Sequence, residues 1–279
     1  MSPDNAREMT LHEAAEALEV HYMTVYRYVR LGLLEAHKAG KQWRVTQDAL
    51  DRFVERSESR GPESDAPWAE RLESRMVAGD ANGAWSVVEA ALSAGHSPAD
   101  VYADYLAPAL RSIGDKWQSG ELAVHDEHLA SSVAARLIGR LGPRFSRRGR
   151  PRGTVITAMP PGDDHGLSSA MIADIVRSAG YSVLDLGANT PVDSLETTAK
   201  RTDDLVAVCL SVVYDAALGD LSSMIDAVRR VSPGTPVYVG GRAISDAAEA
   251  ASLGADGWAG SLDEVADLID AQRPPVTTG

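Results

Sequence analysis

The chain has 279 residues, enough for two domains at roughly 150 residues each, or three if one is small. Its net charge is −13, with 44% hydrophobic and 24% charged residues, a composition that excludes collagen-like and wholly disordered chains. No apolar run is long enough to span a bilayer, and the single cysteine, Cys209, excludes an intrachain disulfide framework. The start, MSPDNAREMT, does not read as a secretory signal, so the expected compartment is the cytoplasm with no membrane association.

The first piece, 1–56, opens on Thr10, which can cap a helix while Glu13 reaches back in a capping box. Leu11, Ala14, Ala15 and Leu18 form one apolar face. A second short helix runs from Met23 to Leu31, with Val25 and Val29 inward and Tyr22, Thr24, Tyr26, Arg27 and Arg30 left for other surfaces. Leu34 to Arg44 reads as a hairpin turning at Ala39-Gly40, and a third helix follows over 47–56. Between Thr24 and Arg44, Arg27, Arg30, Lys38, Lys41 and Arg44 face only Glu35, so an acidic chain holds a local charge of +4. Phosphate attraction is local at physiological salt. Helix, tight turn, helix and basic hairpin make a winged helix-turn-helix pattern, with double-stranded DNA as the expected partner. A small helical adaptor with a solvated basic face is the blander alternative.

Residues 57–66 read as a polar linker. The second piece, 67–141, predicts four amphipathic helices near 67–78, 81–94, 98–118 and 121–141, hence a four-helix bundle. Gly79 and Gly95 suit helix ends, and Ser97-Pro98-Ala99-Asp100 supplies a cap, a first-turn proline and an acid. Residues 142–152 form a second linker, whose arginines read as solvated, with phosphate contact as the alternative.

The third piece, 153–272, alternates strand and helix. Strands are expected near 154–159, 182–187, 205–213, 236–240 and 256–259, with helices near 167–179, 192–202, 219–231, 246–253 and 262–271. Leu205 to Val213 is nearly all apolar, as a strand buried on both faces should be, and Cys209 reads as buried within it. Five such units argue for a doubly wound parallel sheet of the flavodoxin or Rossmann type. Residues 273–279 form a tail.

Ligands of such sheets bind beyond the C-terminal strand ends. Asp163, His165 and Ser168 follow the first strand, Ser211 and Val213 end the third, and Gly240-Gly241 end the fourth. No G-x-G-x-x-G follows the first strand, so a nicotinamide site is not expected. In the bundle, nine residues separate Trp117 from Glu127-His128. Taken alone, Trp117 reads equally well as a core residue. His125 and His128 lack the further ligands a zinc site needs.

Three resemblances follow from these residues. The stretch from Thr10 to Val54 resembles DNA-binding domains of the MerR and excisionase type. The third piece resembles the cobalamin-binding fold of methionine synthase and methylmalonyl-CoA mutase, whose D-x-H-x-x-G, S-x-L and G-G correspond here to Asp163-x-His165-x-x-Ser168, Ser211-Val-Val213 and Gly240-Gly241. Ser168 and Val213 depart from that pattern. The W-x9-EH spacing resembles the bundle of the CarH and LitR light-sensing regulators, which bind adenosylcobalamin.

These resemblances imply roles. His165 would ligate cobalt from below, Asp163 would hold the other ring nitrogen, and the benzimidazole tail would lie near Ser211 and the glycine pair. Trp117 would pack on the upper adenosyl group, Glu127 would accept from the ribose, and His128 would reach cobalt after photolysis. The implied function is a cobalamin-dependent, light-responsive transcriptional regulator rather than an enzyme. Its filled form would assemble as a dimer or tetramer on a DNA operator. A corrinoid methyl carrier and a regulator of another tetrapyrrole are the rival readings.

Overall fold

A computed structural model describes residues 8–18, 22–30, 34–39, 42–58, 67–147 and 149–271. The chain divides into two units, 1–66 and 67–279.

In the first unit, β1 (Glu8–Thr10) leads into α1 (Leu11–Ala17), followed by α2 (Tyr22–Arg30), β2 (His37–Ala39), β3 (Gln42–Thr46) and α3 (Gln47–Glu58). The three strands are antiparallel in the order β1-β3-β2. The capping box forms: Thr10 N–H donates to Glu13 Oε2 at 2.7 Å, and Glu13 N–H donates to Thr10 Oγ1 at 3.2 Å. Met9, Leu11, Ala14, Val25, Val29, Leu34, Val45 and Leu50 form the core. Val25 and Val29 point inward as their spacing predicts. Strand β1 was not expected. It pairs Glu8 with Thr46 and Thr10 with Arg44, extending the hairpin by one edge. The β2–β3 pairing ends at Ala39 opposite Gln42, so the expected turn at Gly40 lies outside the described residues.

The second unit begins with helices α4 (Trp68–Val77) and α5 (Ala81–Ser93). Then α6 (Pro98–Asp100) passes through a π-helical segment, Val101–Leu106, into α7 (Ala107–Gln118), and α8 (Val124–Leu141) follows. The Ser97 cap forms with Asp100, whose N–H reaches Ser97 Oγ at 3.1 Å. Gly79 and Gly95 end their helices at φ +68° and +98°, values that suit glycine. The last helix was expected from 121 but starts at Val124. Gly120, at φ +79°, turns the chain out of α7, and Asp126 instead accepts the Ala123 N–H at 2.9 Å.

The sheet follows: β4 (Thr154–Ala158), α9 (Leu167–Ser178), β5 (Ser182–Asp185), α10 (Val192–Arg201), β6 (Leu205–Ser211), α11 (Leu218–Val231), β7 (Val237–Gly240), α12 (Ala247–Ser252), β8 (Gly257–Ala259) and α13 (Leu262–Ala271). All pairings are parallel, in the order β5-β4-β6-β7-β8. One core gathers Ile156, Leu210, Val239, Leu195, Leu221 and Ile225. The other, on the opposite face, gathers Val155, Ala207, Tyr238, Val176 and Ile269. Strand order therefore reverses between β4 and β6, and the loops after these two strands diverge over a crevice.

The helices dock on the sheet through a buried polar contact. Tyr102, in the π-helical segment, donates its hydroxyl to Asp174 Oδ2 on α9 at 2.8 Å. Asp174 Oδ1 also receives Arg177 at 2.8 Å. Both Tyr102 and Asp174 are buried, and burial beside that carboxylate pushes the phenol pKa far up. Replacing Tyr102 by Phe leaves a buried carboxylate short of one donor. Such a loss costs about 1–3 kcal/mol. Tyr102→Phe should lower the thermal unfolding midpoint of the full chain by several degrees, read by circular dichroism; an unchanged midpoint would show that the bond contributes nothing net.

Candidate cobalamin site

The loop after β4 carries Asp163 and His165, and it is held by one carboxylate. Asp163 is 0% exposed. Its Oδ1 accepts from His165 Nδ1 at 2.7 Å and from His165 N–H at 3.2 Å. Its Oδ2 accepts the N–H of Val213 at 2.7 Å and of Tyr214 at 3.1 Å. Val213 was expected to continue β6, but its N–H turns to Asp163, and the strand stops at Ser211. Asp163 thus joins the loops on both sides of the switch point and fixes the His165 ring.

The electrostatics follow. Burial alone would raise the Asp163 carboxyl, but the His165 ring and three backbone N–H groups hold it below the usual range. The His165 pKa is raised, first by its hydrogen bond to Asp163, against partial desolvation, and further by the charges of Asp163, Glu127 and Asp164. Glu127 belongs to α8, so a charge of the helical part contributes to the raised pKa of His165. By sign, the His165 contribution to stability is complete below the ordinary imidazole value and fades as pH rises through the raised one. The Asp163 contribution is present above the ordinary carboxylate value and fades as pH falls through the depressed one.

The remaining expected residues fall as follows. Ser168 lies in the first turn of α9, half-buried, its N–H bonded to His165 O at 3.1 Å. Ser211 is 1% exposed, and its Oγ has no hydrogen-bond partner among the described residues. Gly240 and Gly241 end β7 directly beside it, with Ser211 paired to Gly240. On α8, Glu127 Oε1 accepts Ser131 Oγ at 2.5 Å, and His128 Nε2 stands 3.7 Å from Glu127 Oε2 with most of its ring exposed. Trp117 is 43% exposed near the end of α7. Among the described residues, no hydrogen bond or ion pair links it to Glu127 or His128. It is no core tryptophan.

Sequence reasoning missed three contributors. Asp185 Oδ1, at the end of β5, accepts from Thr157 Oγ1, Ser169 Oγ and Gly187 N–H at 2.9, 2.7 and 3.1 Å, pinning the start of α9 behind the His165 loop. Arg242, immediately after the glycine pair, reaches Asp115 Oδ1 at 2.7 Å and Gln118 Oε1 at 3.3 Å, tying the β7 loop to the helix that bears Trp117. Ser131 is the third. Only the i, i+4 spacing of Glu127 and Ser131 could have signalled any of them.

These residues fit a corrinoid. The His165 ring is oriented through Nδ1 and its Nε2 has no partner among the described residues. A buried hydroxyl waits beside two glycines, and Trp117, Val124 and Tyr214 expose large apolar side chains on the segments that frame the site.

In the first unit, Lys38 is exposed on β2 and lies 5.3 Å from the Trp43 ring centroid. Arg44 is half-buried on β3. Tyr22 stacks on His12 at 4.3 Å, and both Tyr22 and Tyr26 pack partly against the core, leaving only part of each ring for another surface. Lys41 and the side chains of Thr24, Arg27 and Arg30 lie outside the described residues.

Residues 68–141 and 153–267 each match a B12 binding domain family, and residues 8–58 match a helix-turn-helix domain family. The chain is therefore a B12-binding-domain protein with an N-terminal helix-turn-helix domain. In particular it is similar to the HTH-type transcriptional repressor CarH of Myxococcus xanthus, at 34% identity over 150 residues, 52% of this chain and 48% of the repressor. The match spans about half of that relative's length. It is also similar to monomethylamine corrinoid protein 1 of Methanosarcina mazei, at 24% identity over 63% of this chain and 84% of that protein. The fold matches the Methanosarcina barkeri monomethylamine corrinoid protein with a TM-score of 0.64 and 20% identity, covering 72% of this chain and 96% of that one. Among the described residues, no helix is long and apolar enough to cross a membrane.

Asp163→Asn removes the charge that raises His165. The ring midpoint, followed by NMR in the full chain without cofactor, should lie above the ordinary imidazole value in the wild type and fall toward it in the variant. Equal midpoints would mean that Asp163 does not control this imidazole.

Proposed function

We propose that the protein is a cobalamin-dependent transcriptional regulator in which light controls assembly and DNA binding. The observation that carries this reading is the Asp163–His165 pair at the switch point, whose imidazole feels the charge of Glu127 on α8. His165 Nε2 would hold the cobalt, and Asp163 keeps that nitrogen's lone pair outward by holding Nδ1–H. Ser211 and Gly240-Gly241 receive the nucleotide tail. Trp117, Glu127 and His128 form the upper wall, with His128 free to turn toward the metal because its ring has little packing. Adenosylcobalamin, the proposed form, supplies a cobalt–carbon bond that visible light breaks. Contacts of Trp117 and Glu127 differ between the two states, and only such differences can shift an assembly equilibrium.

The proposed units are a winged helix-turn-helix over 1–56, a helical cap over 67–141 and a cobalamin-binding sheet over 153–272. Tyr22, Thr24, Tyr26, Arg27 and Arg30 of α2 and Lys38, Lys41 and Arg44 of the hairpin form the DNA face. Assembly into a dimer or tetramer brings several small DNA-binding units to one operator, which raises affinity without new contacts.

A corrinoid methyl carrier is the second reading, favoured by the fold match to the monomethylamine corrinoid protein. The helix-turn-helix match speaks for regulation instead.

Molar mass by light scattering decides the switch. The full chain loaded with adenosylcobalamin in the dark should be heavier than after illumination. Trp117→Ala should bind cobalamin yet show a smaller mass difference. Equal dark and illuminated masses for a photolysed wild type would overturn the switch. The DNA face has its own test: Lys38→Ala or Arg27→Ala should each reduce the slope of log affinity against log salt by about 1. Unchanged slopes in both would remove these residues from the interface.

A further inference from the structure

The segment 142–152 carries Arg144, Arg147, Arg148, Arg150 and Arg152 and no acid, in a chain of net charge −13. It closes one side of a groove of about 440 Å³ whose lining includes Arg147, Arg150, Arg152, Arg177, Tyr181 and Ser182. The groove lies where β4 and β5 begin. His165 lies past the other ends of the same parallel strands, so the groove is no part of the cobalamin site.

Two of the four lining arginines are fixed from behind. Arg177 pairs with Asp174 at 2.8 Å, and Arg152 pairs with Asp270 at 2.8 Å while lying over the Tyr181 ring at 4.7 Å. Arg147 and Arg150 are exposed and have no hydrogen bond or ion pair among the described residues. Gly180, at φ +92°, forms the floor: a Cβ there would come within 3.4 Å of Arg152 Cδ and 3.9 Å of Arg147 Nη1. The guanidinium of Arg147 and the aliphatic stem of Arg152 therefore lie over a residue without a side chain. Among the described residues no carboxylate is positioned to neutralise Arg147 or Arg150.

We propose that this groove is a second binding surface for the phosphate backbone of double-stranded DNA. Guanidinium forks match phosphate oxygens in pairs. The groove is open, and its unpaired cations are exposed, so nothing orients a compact ligand as buried polar groups in a small-molecule site do. A repeating anion along an extended backbone needs no such fixing. Arg147 and Arg150 are three residues apart on non-helical chain, a spread of up to roughly 10 Å, enough to meet different phosphates. The inference rests on the DNA-binding reading of the first unit, which places duplex DNA within reach of the same chain.

The test uses the full chain and a labelled 30-bp duplex of arbitrary sequence, with anisotropy titrations at several salt concentrations. Arg147→Ala/Arg150→Ala should flatten the log–log salt slope by about 1.8, at about 0.9 per lost contact, and weaken binding about tenfold or more near 0.1 M salt. Arg147→Lys/Arg150→Lys should restore most of the slope. Lys38→Ala, read in parallel, separates the two ideas. If Lys38→Ala flattens the slope and the arginine pair does not, the groove proposal is overturned while the helix-turn-helix reading stands. If neither changes it, both fall. If the wild type but not the alanine pair binds inorganic phosphate or a mononucleotide at micromolar concentration, and duplex affinity is equal in both, the groove serves a small anion and the proposal is also overturned. Unchanged thermal unfolding of the variants confirms that they fold.

Discussion

The buried carboxylate of Asp163 is the constraint on which the rest of the site depends. It takes four N–H donors from two loops that the topology sends apart. A buried carboxylate with so many donors stays ionised, and an ionised acceptor orients an imidazole strongly. If Asp163 were neutral, the loop after β4 would lose its tie to β6, and His165 would lose both its direction and its raised pKa. The end of β6, the path of the 160–166 loop and the basicity of the ring are therefore one interaction seen from three sides.

The helical part is in turn held to the sheet. Two polar contacts do this from different places. Arg242 joins the β7 loop to Asp115 and Gln118 near Trp117, in a solvent-exposed setting where ion pairs contribute little to stability. Tyr102 and Asp174 meet in a buried setting, where breaking the pair is costly. The strong contact lies on α9, and the weak one lies beside the proposed upper wall. A change at the upper wall can loosen the weak contact while the buried one persists, which suits a part that must shift without detaching.

Much of this was legible in the sequence. The alternation of apolar strands and amphipathic helices gave the doubly wound sheet, because burial on both faces leaves a near-continuous apolar run such as Leu205 to Ser211. Local capping was legible too: Thr10 with Glu13 and Ser97 with Asp100 need only neighbours in sequence. What escaped depends on partners far along the chain. Strand β1 exists only because β3 offers a free edge. The early end of β6 follows from Asp163, fifty residues upstream of Val213. The π-helical turn at 101–106 accompanies the placement of Tyr102 against Asp174, seventy-two residues away. Asp185 and Arg242 belong to no sequence motif, and neither do their partners Thr157, Ser169, Asp115 and Gln118.

The glycine pair shows how a structural and a functional reading can coincide. Gly241 sits at φ +100°, and a Cβ there would fall 2.3 Å from Val212 O; at Gly240 it would fall 2.7 Å from Ala259 O. Both collisions are with this chain's own backbone, so side chains are excluded whether or not anything binds. Ser211, paired with Gly240, keeps a buried Oγ that lacks a hydrogen-bond partner among the described residues. Ser168 is the converse case. It replaces a glycine of the resembled pattern, yet it sits in the first turn of α9 and is not among the positive-φ residues. Nothing in its backbone asks for glycine, so the departure leaves the path of the His165 loop intact. Positions in the pattern are thus fixed by different forces: backbone collision at the glycine pair, electrostatics at Asp163 and His165, and neither at Ser168.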